Sequence, residues 1–213
     1  MIDNKNYHVI GVSYKKANLD IRGLFNLSDL KLHSLFLEAK SINIEELLVI
    51  STCNRTELYG WCETHDELVE LLCNHSDGKL DVFLKLGYKL SGNDAINHMF
   101  KVGTGLDSQI LGDFEIIGQL RKGFNRSKRN NLINGRFERL INSVIHASKR
   151  IKTETQISSG ATSVAFASVQ YILNNVSDIS KKKIVLFGAG KIGRNTCENL
   201  VKHTKNDHII LIN

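Results

Sequence analysis

ELLVISTCNRTELYGWC, residues 46–62, places two β-like runs on either side of a polar junction. The apolar stretch 46–52 reads as a short buried strand and 56–62 as a second β-like segment. Upstream, YHVIGVSY at 7–14 reads as another buried strand, and a helical stretch at about 29–41 separates it from the first. Strand, helix, strand and strand in that order predict a small α+β domain of the split βαβ type.

Beyond His65 the pattern turns helical. DELVELLCNH sets Leu68, Leu71 and Leu72 on one face, and a further helix is expected to start at Asn93 or Asp94. From Phe137 through Leu140, Ile141, Val144, Ile145 and Ser148 to Ile151, apolar or small residues recur every three or four positions, which predicts a long amphipathic helix. Ser158, Ser159 and Gly160 break it, and another helix is expected over 161–175. A domain boundary is therefore expected near 157. IVLF at 184–187 is then a continuous apolar run typical of a parallel strand.

That strand leads into Gly188-Ala189-Gly190-Lys191-Ile192-Gly193, a GxGxxG turn, followed by a predicted helix from Ile192 to Lys202 and a second strand from His208 to Ile212. The order is the one a dinucleotide site requires: the glycines permit a tight turn and a close approach to a pyrophosphate at the positive end of the helix. No Asp or Glu ends the second strand, where an acid would bind the 2′-hydroxyl of NAD, so NADP is favoured. One β-α-β unit does not build an open parallel sheet, and the expectation is that the protein continues past Asn213 or that the chain is a fragment.

Composition bounds the function. The 213 residues, 42% hydrophobic and 23% charged, suit one large or two smaller globular domains. No apolar run is long enough for a membrane span and no secretory signal opens the chain, so a cytoplasmic protein is expected. Four cysteines without a CxxC pair read as free thiols. Cys62, His65, Cys73 and His75 offer zinc-type ligands, but Cys73 and His75 stand two apart on a predicted helix and face differently, so no metal is expected. Residues 121–152 carry ten Lys or Arg against Glu138 alone, a segment of +9 in a chain of +6 that leaves −3 for the rest. Such a stripe fits either a solvated helix face or a surface that neutralises phosphates.

The junction Ser51-Thr52-Cys53-Asn54-Arg55-Thr56-Glu57 carries the second candidate chemistry. A cysteine at a strand end beside hydroxyls and an arginine suits a nucleophile held as thiolate, or equally a small buried hydrophobe.

STCNRTE (51–57), HMFKVGTGLDSQILGDFEIIGQ (98–119), KRIKTET (149–155), SVAFA (163–167) and GAGKIG, in that order, resemble the glutamyl-tRNA reductase family over nearly the whole chain. The resemblance implies NADPH-dependent reduction of glutamyl-tRNA to glutamate-1-semialdehyde, the first step of tetrapyrrole synthesis by the five-carbon route. It implies a catalytic domain over 1–157 and the first part of a Rossmann-like NADP domain over 158–213, without the family's C-terminal dimerisation domain. Carried over by residue, it makes Cys53 the nucleophile and His98 catalytic, with Thr52, Asn54, Arg55, Ser108, Asp113, Phe114, Glu115 and Gln119 toward the substrate. Gly188, Ala189, Gly190, Lys191, Ile192 and Gly193 would hold NADPH. Expected partners are glutamyl-tRNA(Glu), glutamate-1-semialdehyde aminomutase and, at full length, a second copy. One departure stands out: the family usually reads Gly-Glu-Pro-Gln where this chain has Gly112-Asp113-Phe114-Glu115.

Without the resemblance, Arg55 reads as a surface ion-pair partner, His98 as a helix-face histidine between Ile96 and Phe100, and Asp113 and Gln119 as solvated or capping residues. With it, Arg55 offers a planar fork for the glutamate side-chain carboxylate. Two other readings compete: a different NADP-linked cysteine-thioester dehydrogenase, and a non-catalytic tRNA-binding or nucleotide-sensing module with a structural Cys53.

Overall fold

In the computed structural model, which describes residues 5–113, 115–155, 157, 164–206 and 208–213, β1 (Tyr7–Ser13), β2 (Glu46–Ser51), β3 (Arg55–Trp61) and β4 (Tyr88–Ser91) form one sheet in the order β2-β3-β1-β4. Neighbouring strands are antiparallel. β1 and β2 therefore run parallel on either side of β3, the split βαβ arrangement expected from the strand order.

The continuous apolar character of β1 and β2 has a simple cause: helices cover both faces of the sheet. On one face Ile10, Val12, Leu47, Val49 and Leu58 pack with Leu35 and Phe36 of α2 (Asp29–Ser41) and with Leu68 and Leu72 of α3 (His65–His75). On the other, Tyr7, Val9, Leu48, Ile50 and Tyr59 meet Met99 of α5 (Gly92–Gly103), Leu120 of α6 (Glu115–Arg129) and Phe137, Ile141 and Val144 of α7 (Gly135–Glu154). Each fully buried side chain of this kind contributes about 1.5–3 kcal/mol, so this two-sided core dominates the fold. Two short helices complete the layers, α1 (Leu19–Leu24) before α2 and α4 (Leu80–Leu86) before β4.

Helix ends are set by local chemistry. Ser28 accepts from the Lys31 amide at the start of α2, Thr64 and Glu67 form a reciprocal capping box on α3, and Asn134 accepts from the Arg136 and Phe137 amides at the start of α7. Glycine decides how closely α6 approaches the sheet. A Cβ on Gly123 would lie 2.4 Å from the Val49 carbonyl oxygen, so a larger residue would push the helix off β2.

Helix α8 (Val164–Asn175) precedes β5 (Ile184–Phe187), α9 (Lys191–Thr204) and β6 (Ile209–Ile212). β5 and β6 pair in parallel, as a β-α-β unit requires. Val185, Ile210 and Ile212 are exposed and Phe187 is 81% exposed, in line with the expectation that one β-α-β unit does not build the sheet that covers its strands. Among the described residues α9 packs against this strand pair and leaves these side chains uncovered. Ser158, Ser159 and Gly160, read as the helix break, lie outside the described residues, as does the 161–163 start expected for α8. No helix among the described residues is long and apolar enough to cross a membrane.

Candidate active site

β2 and β3 are joined by a tight connection whose corner residues are Cys53 and Asn54. The Thr52 amide donates to the Arg55 carbonyl, and the Thr52 hydroxyl accepts from the amides of Asn54 and Arg55 at 3.2 and 3.1 Å. A hydroxyl at this position offers the turn an internal partner, which is why threonine suits it. Two further contacts fix the corner from outside: Arg22 Nε of α1 donates to the Cys53 carbonyl at 2.8 Å, and the Tyr14 amide donates to the Asn54 carbonyl. The Cys53 thiol is free and exposed. It lines a cavity of about 500 Å³ together with Thr52, Gln119, Lys122 and Arg126. α6 thus brings Gln119 to the same wall as Cys53, and two basic side chains with it.

Behind the corner lies a buried polar cluster. Arg55, Glu57 and Tyr59 alternate on β3, so all three project from one face of the sheet into the layer beneath α5. Glu57 is completely buried. It accepts from Arg55 Nη1 at 2.8 Å, from His98 Nε2 at 2.9 Å, and from the hydroxyls of Tyr59 and Tyr88. Burial alone would raise its pKa, but the Arg55 charge, with His98 and Tyr59, overrides it and holds the carboxyl down at about 2. Arg55 is itself 2% exposed. Its Nη2 donates to Asp107, both to the side chain at 3.0 Å and to the carbonyl, and Lys15 donates to the second oxygen of Asp107. Burial works against the Arg55 charge, yet Glu57 beside it keeps the guanidinium protonated more firmly than usual. Asp107 is held ionised against its own burial by the bonds from Lys15 and Arg55.

Several expected site residues therefore meet and others do not. Thr52, Cys53 and Gln119 share one cavity. His98 lines a different one, of about 210 Å³, with Lys15, Tyr88 and Asp107. Cys53 and His98 are linked only through the strand and the Arg55–Glu57 pair, and among the described residues their side chains share no hydrogen bond. The Arg55 fork, drawn in sequence as a free carboxylate clamp, already has two carboxylate partners within the protein. Asp113 turns out to cap α6, accepting from the Glu115 amide at 2.9 Å, after Gly112 takes a φ of +78°. Ser108 lies in the bend between α5 and α6, one residue after the Asp107 that grips Arg55; Phe114 lies outside the described residues. Glu57, Tyr88, Asp107 and Lys15 were missed. The alternation Arg55, Glu57, Tyr59 within a strand that is otherwise apolar was the available signal for the first of them.

At the second site, Gly188 has a φ of +103° and leads β5 into α9. A Cβ on Gly193 would fall 1.8 Å from the Gly188 carbonyl oxygen, while Gly188 and Gly190 have open space where a Cβ would stand. Gly188 and Gly190 thus leave open space beside the turn, at the start of α9, which fits a pyrophosphate. Of the thiol and imidazole groups checked for zinc, His75 bonds to Glu38 at 2.6 Å and His65 to Ser91 at 2.7 Å.

The sequence profile of the N-terminal domain of glutamyl-tRNA(Glu) reductase matches residues 10–155. Glutamyl-tRNA reductase 2 of Flavobacterium johnsoniae is 59% identical over 207 residues, 97% of this chain and 48% of that protein. Glutamyl-tRNA reductase of Christiangramia forsetii is 58% identical over 209 residues, 98% of this chain and 50% of that protein. The chain spans about half the length of the curated relatives it matches. Among solved structures, glutamyl-tRNA reductase from Methanopyrus kandleri superposes with a TM-score of 0.68 at 22% identity, over 97% of this chain and 49% of that one, which bears on the fold. Profile, relatives and fold agree: the chain belongs to the glutamyl-tRNA reductase family.

Proposed function

We propose that this chain is the part of an NADPH-dependent glutamyl-tRNA reductase that binds glutamyl-tRNA and forms a cysteinyl thioester, in the cytoplasm, at the first step of tetrapyrrole synthesis by the five-carbon route. Residues 1–157 are then the catalytic domain and 158–213 the first part of the NADP-binding domain. The observation that carries this reading is an exposed, unpaired Cys53 thiol at a rigid two-residue corner, on the wall of a cavity that also presents Gln119 and the cations Lys122 and Arg126.

The Cys53 sulfur attacks the glutamyl ester carbonyl. The bond from that carbon to the terminal ribose oxygen of tRNA breaks, the oxygen takes a proton, and a thioester remains on Cys53. Bound at residues 188–193, NADPH would supply the hydride that reduces this thioester. The carbon–sulfur bond then breaks, the thiolate returns, and glutamate-1-semialdehyde leaves. In this scheme Glu57 fixes the imidazole of His98. As an ionised carboxylate it accepts only, so Nε2 of His98 must carry a proton toward it, and Nδ1 is the nitrogen left for proton traffic with substrate. Recognition of the glutamate side-chain carboxylate by Arg55 then requires an exchange at Nη2, the substrate carboxylate replacing Asp107, which Lys15 retains.

Residues 188–193 would hold the pyrophosphate of NADPH. The aminomutase that consumes the aldehyde and a second copy of the full-length protein are the partners this reading implies. Incubation with glutamyl-tRNA(Glu) followed by intact-mass measurement tests it: one glutamyl adduct on Cys53 is expected. An unmodified chain, with tRNA still charged, would favour the non-catalytic tRNA-binding alternative.

A further inference from the structure

At the end of β3 farthest from Cys53, six residues and about 20 Å along the strand from Arg55, a third cavity of about 610 Å³ opens between the β1, β2 and β3 ends, the start of α3 and the start of α7. Its wall includes Asn6, Glu45, Glu46, Trp61, Glu63 and Arg136. Its size is in the range of small-molecule sites. Glu46 and Trp61 stand opposite each other in the β2–β3 register. Arg136 bridges them: its guanidinium lies 4.2 Å from the Trp61 ring centroid and its Nε donates to Glu46 Oε2 at 3.2 Å.

Two residues of this wall each carry a buried polar atom that is left over. Glu46 is 1% exposed, yet its Oε1 has no hydrogen-bond partner, and neither has Trp61 Nε1. A buried polar atom without a partner costs about 1–3 kcal/mol, and the two have opposite needs, Glu46 for a donor and Trp61 for an acceptor. The wall carries four carboxylates, Glu45, Glu46, Glu63 and Glu67, against the single cation Arg136. Among the described residues no three His, Cys, Asp or Glu side chains are grouped to hold a metal ion. The matching ligand is therefore organic: a donor-rich cationic head for the carboxylates, with an acceptor for the side-chain donors of Asn6 and Arg136.

We propose that this cavity binds a small organic cation with an ammonium or guanidinium head and at least one acceptor, as in a basic amino acid. The site is separate from the corner that carries Cys53. Its neutral analogues are rejected because they leave the acidic wall uncompensated.

Trp61 is the protein's only tryptophan, so its fluorescence reports on the site directly. L-Arginine is the probe, with citrulline, its neutral isostere, and L-glutamate as controls at matched ionic strength, followed by fluorescence and by calorimetry. Saturable binding of arginine is expected, at least tenfold tighter than citrulline and without response to glutamate. Glu46→Gln, checked for its fold by circular dichroism, should weaken arginine at least fivefold. Glu63→Gln, on an exposed residue that leaves the core untouched, should weaken it about threefold, so a folding defect in the first variant does not hide the outcome. Absence of saturation, equal binding of citrulline, or an arginine affinity unchanged in both variants would overturn the proposal.

Discussion

His98 Nε2 donates to Glu57 Oε1 at 2.9 Å, and that carboxylate has no exposed surface. The bond decides which imidazole nitrogen faces inward, so the neutral His98 ring should be the Nε2–H tautomer. Long-range nitrogen–proton NMR correlations read this directly. Glu57→Gln should release the preference, because an amide both donates and accepts, and should change the pH profile of thioester formation as well as its rate. A Nδ1–H tautomer in the parent protein would remove the assignment of Nδ1 to proton traffic.

Stability should fall in two steps on acidification. His8 is buried, its pKa lowered by that burial and by His65 nearby. The unfolded chain then binds a proton that the folded chain refuses, so stability is full above about pH 6.5 and declines as pH falls below it. Glu57, held at about 2 against an ordinary 4.5, adds a second loss from about pH 4.5 down toward 2. Urea midpoints measured from pH 8 to pH 3 test both steps. His8→Asn should flatten the upper step alone; an unchanged slope there would assign it to other groups.

The basic stripe splits once partners are known. Arg126 pairs with Asp29, Lys128 with Glu138, Arg136 with Glu46 and Arg150 with Glu154, whereas Arg121, Lys122 and Arg129 on α6 are exposed and make no ion pair among the described residues. Replacing those three by Glu should weaken tRNA binding and reduce the slope of log K against log salt by about 3, one counterion for each lost phosphate contact. The matching triple at Arg126, Lys128 and Arg150 should do less. Equal effects from the two triples would mean a diffuse field rather than a contact surface.

Gly193→Ala puts a methyl 1.8 Å from the Gly188 carbonyl oxygen, against backbone that has nowhere to move within the turn. Dinucleotide binding should fall more than tenfold, while Gly190→Ala, where the Cβ meets open space, should preserve the apo fold and disturb only ligand approach. NADPH should bind the full-length protein more tightly than NADH. Calorimetry on both variants and both dinucleotides checks each statement, and equal affinities for the two dinucleotides would remove the NADP preference.

Much of this architecture was legible because local pattern and tertiary context agreed. β1 and β2 are continuous apolar runs and α7 has strong helical periodicity, and the structure places them within a residue or three of where those patterns put them. No helix was drawn over α6, because Gly118 and Gly123 weaken its pattern, and the reason for Gly123 is a strand carbonyl that sequence does not reveal. α1 and α4 are too short for periodicity to show. At the site, the motif located Cys53, but the partners of Arg55 come from 52 residues away and from its own strand, and only the fold brings Asp107 beneath the hairpin. β5 and β6 read correctly as strands of a parallel β-α-β unit, while their exposure depends on layers beyond the strands themselves.

Cys53 and Arg55 should fail differently when changed. The Cys53 thiol is exposed and makes no hydrogen bond among the described residues, so Cys53→Ser should shift stability by less than about 0.5 kcal/mol, as at an ordinary surface position. It should nevertheless give no glutamyl adduct and no semialdehyde, because a hydroxyl is neither a comparable nucleophile nor the origin of a readily reduced thioester. Arg55→Lys keeps a charge but has one head where the guanidinium has two, and it cannot meet Glu57 and Asp107 together. One of these buried carboxylates then loses its partner, at a cost to folding of about 3 kcal/mol. The same change removes the planar fork that a substrate carboxylate would use, so kcat/KM should also fall by a factor equivalent to about 2 kcal/mol or more, and discrimination against mischarged glutaminyl-tRNA should shrink. Denaturation midpoints separate the two effects. Arg55→Lys with lost stability but parental kinetics on both charged tRNAs would make Arg55 a structural ion-pair partner, and an active Cys53→Ser would place the nucleophile elsewhere.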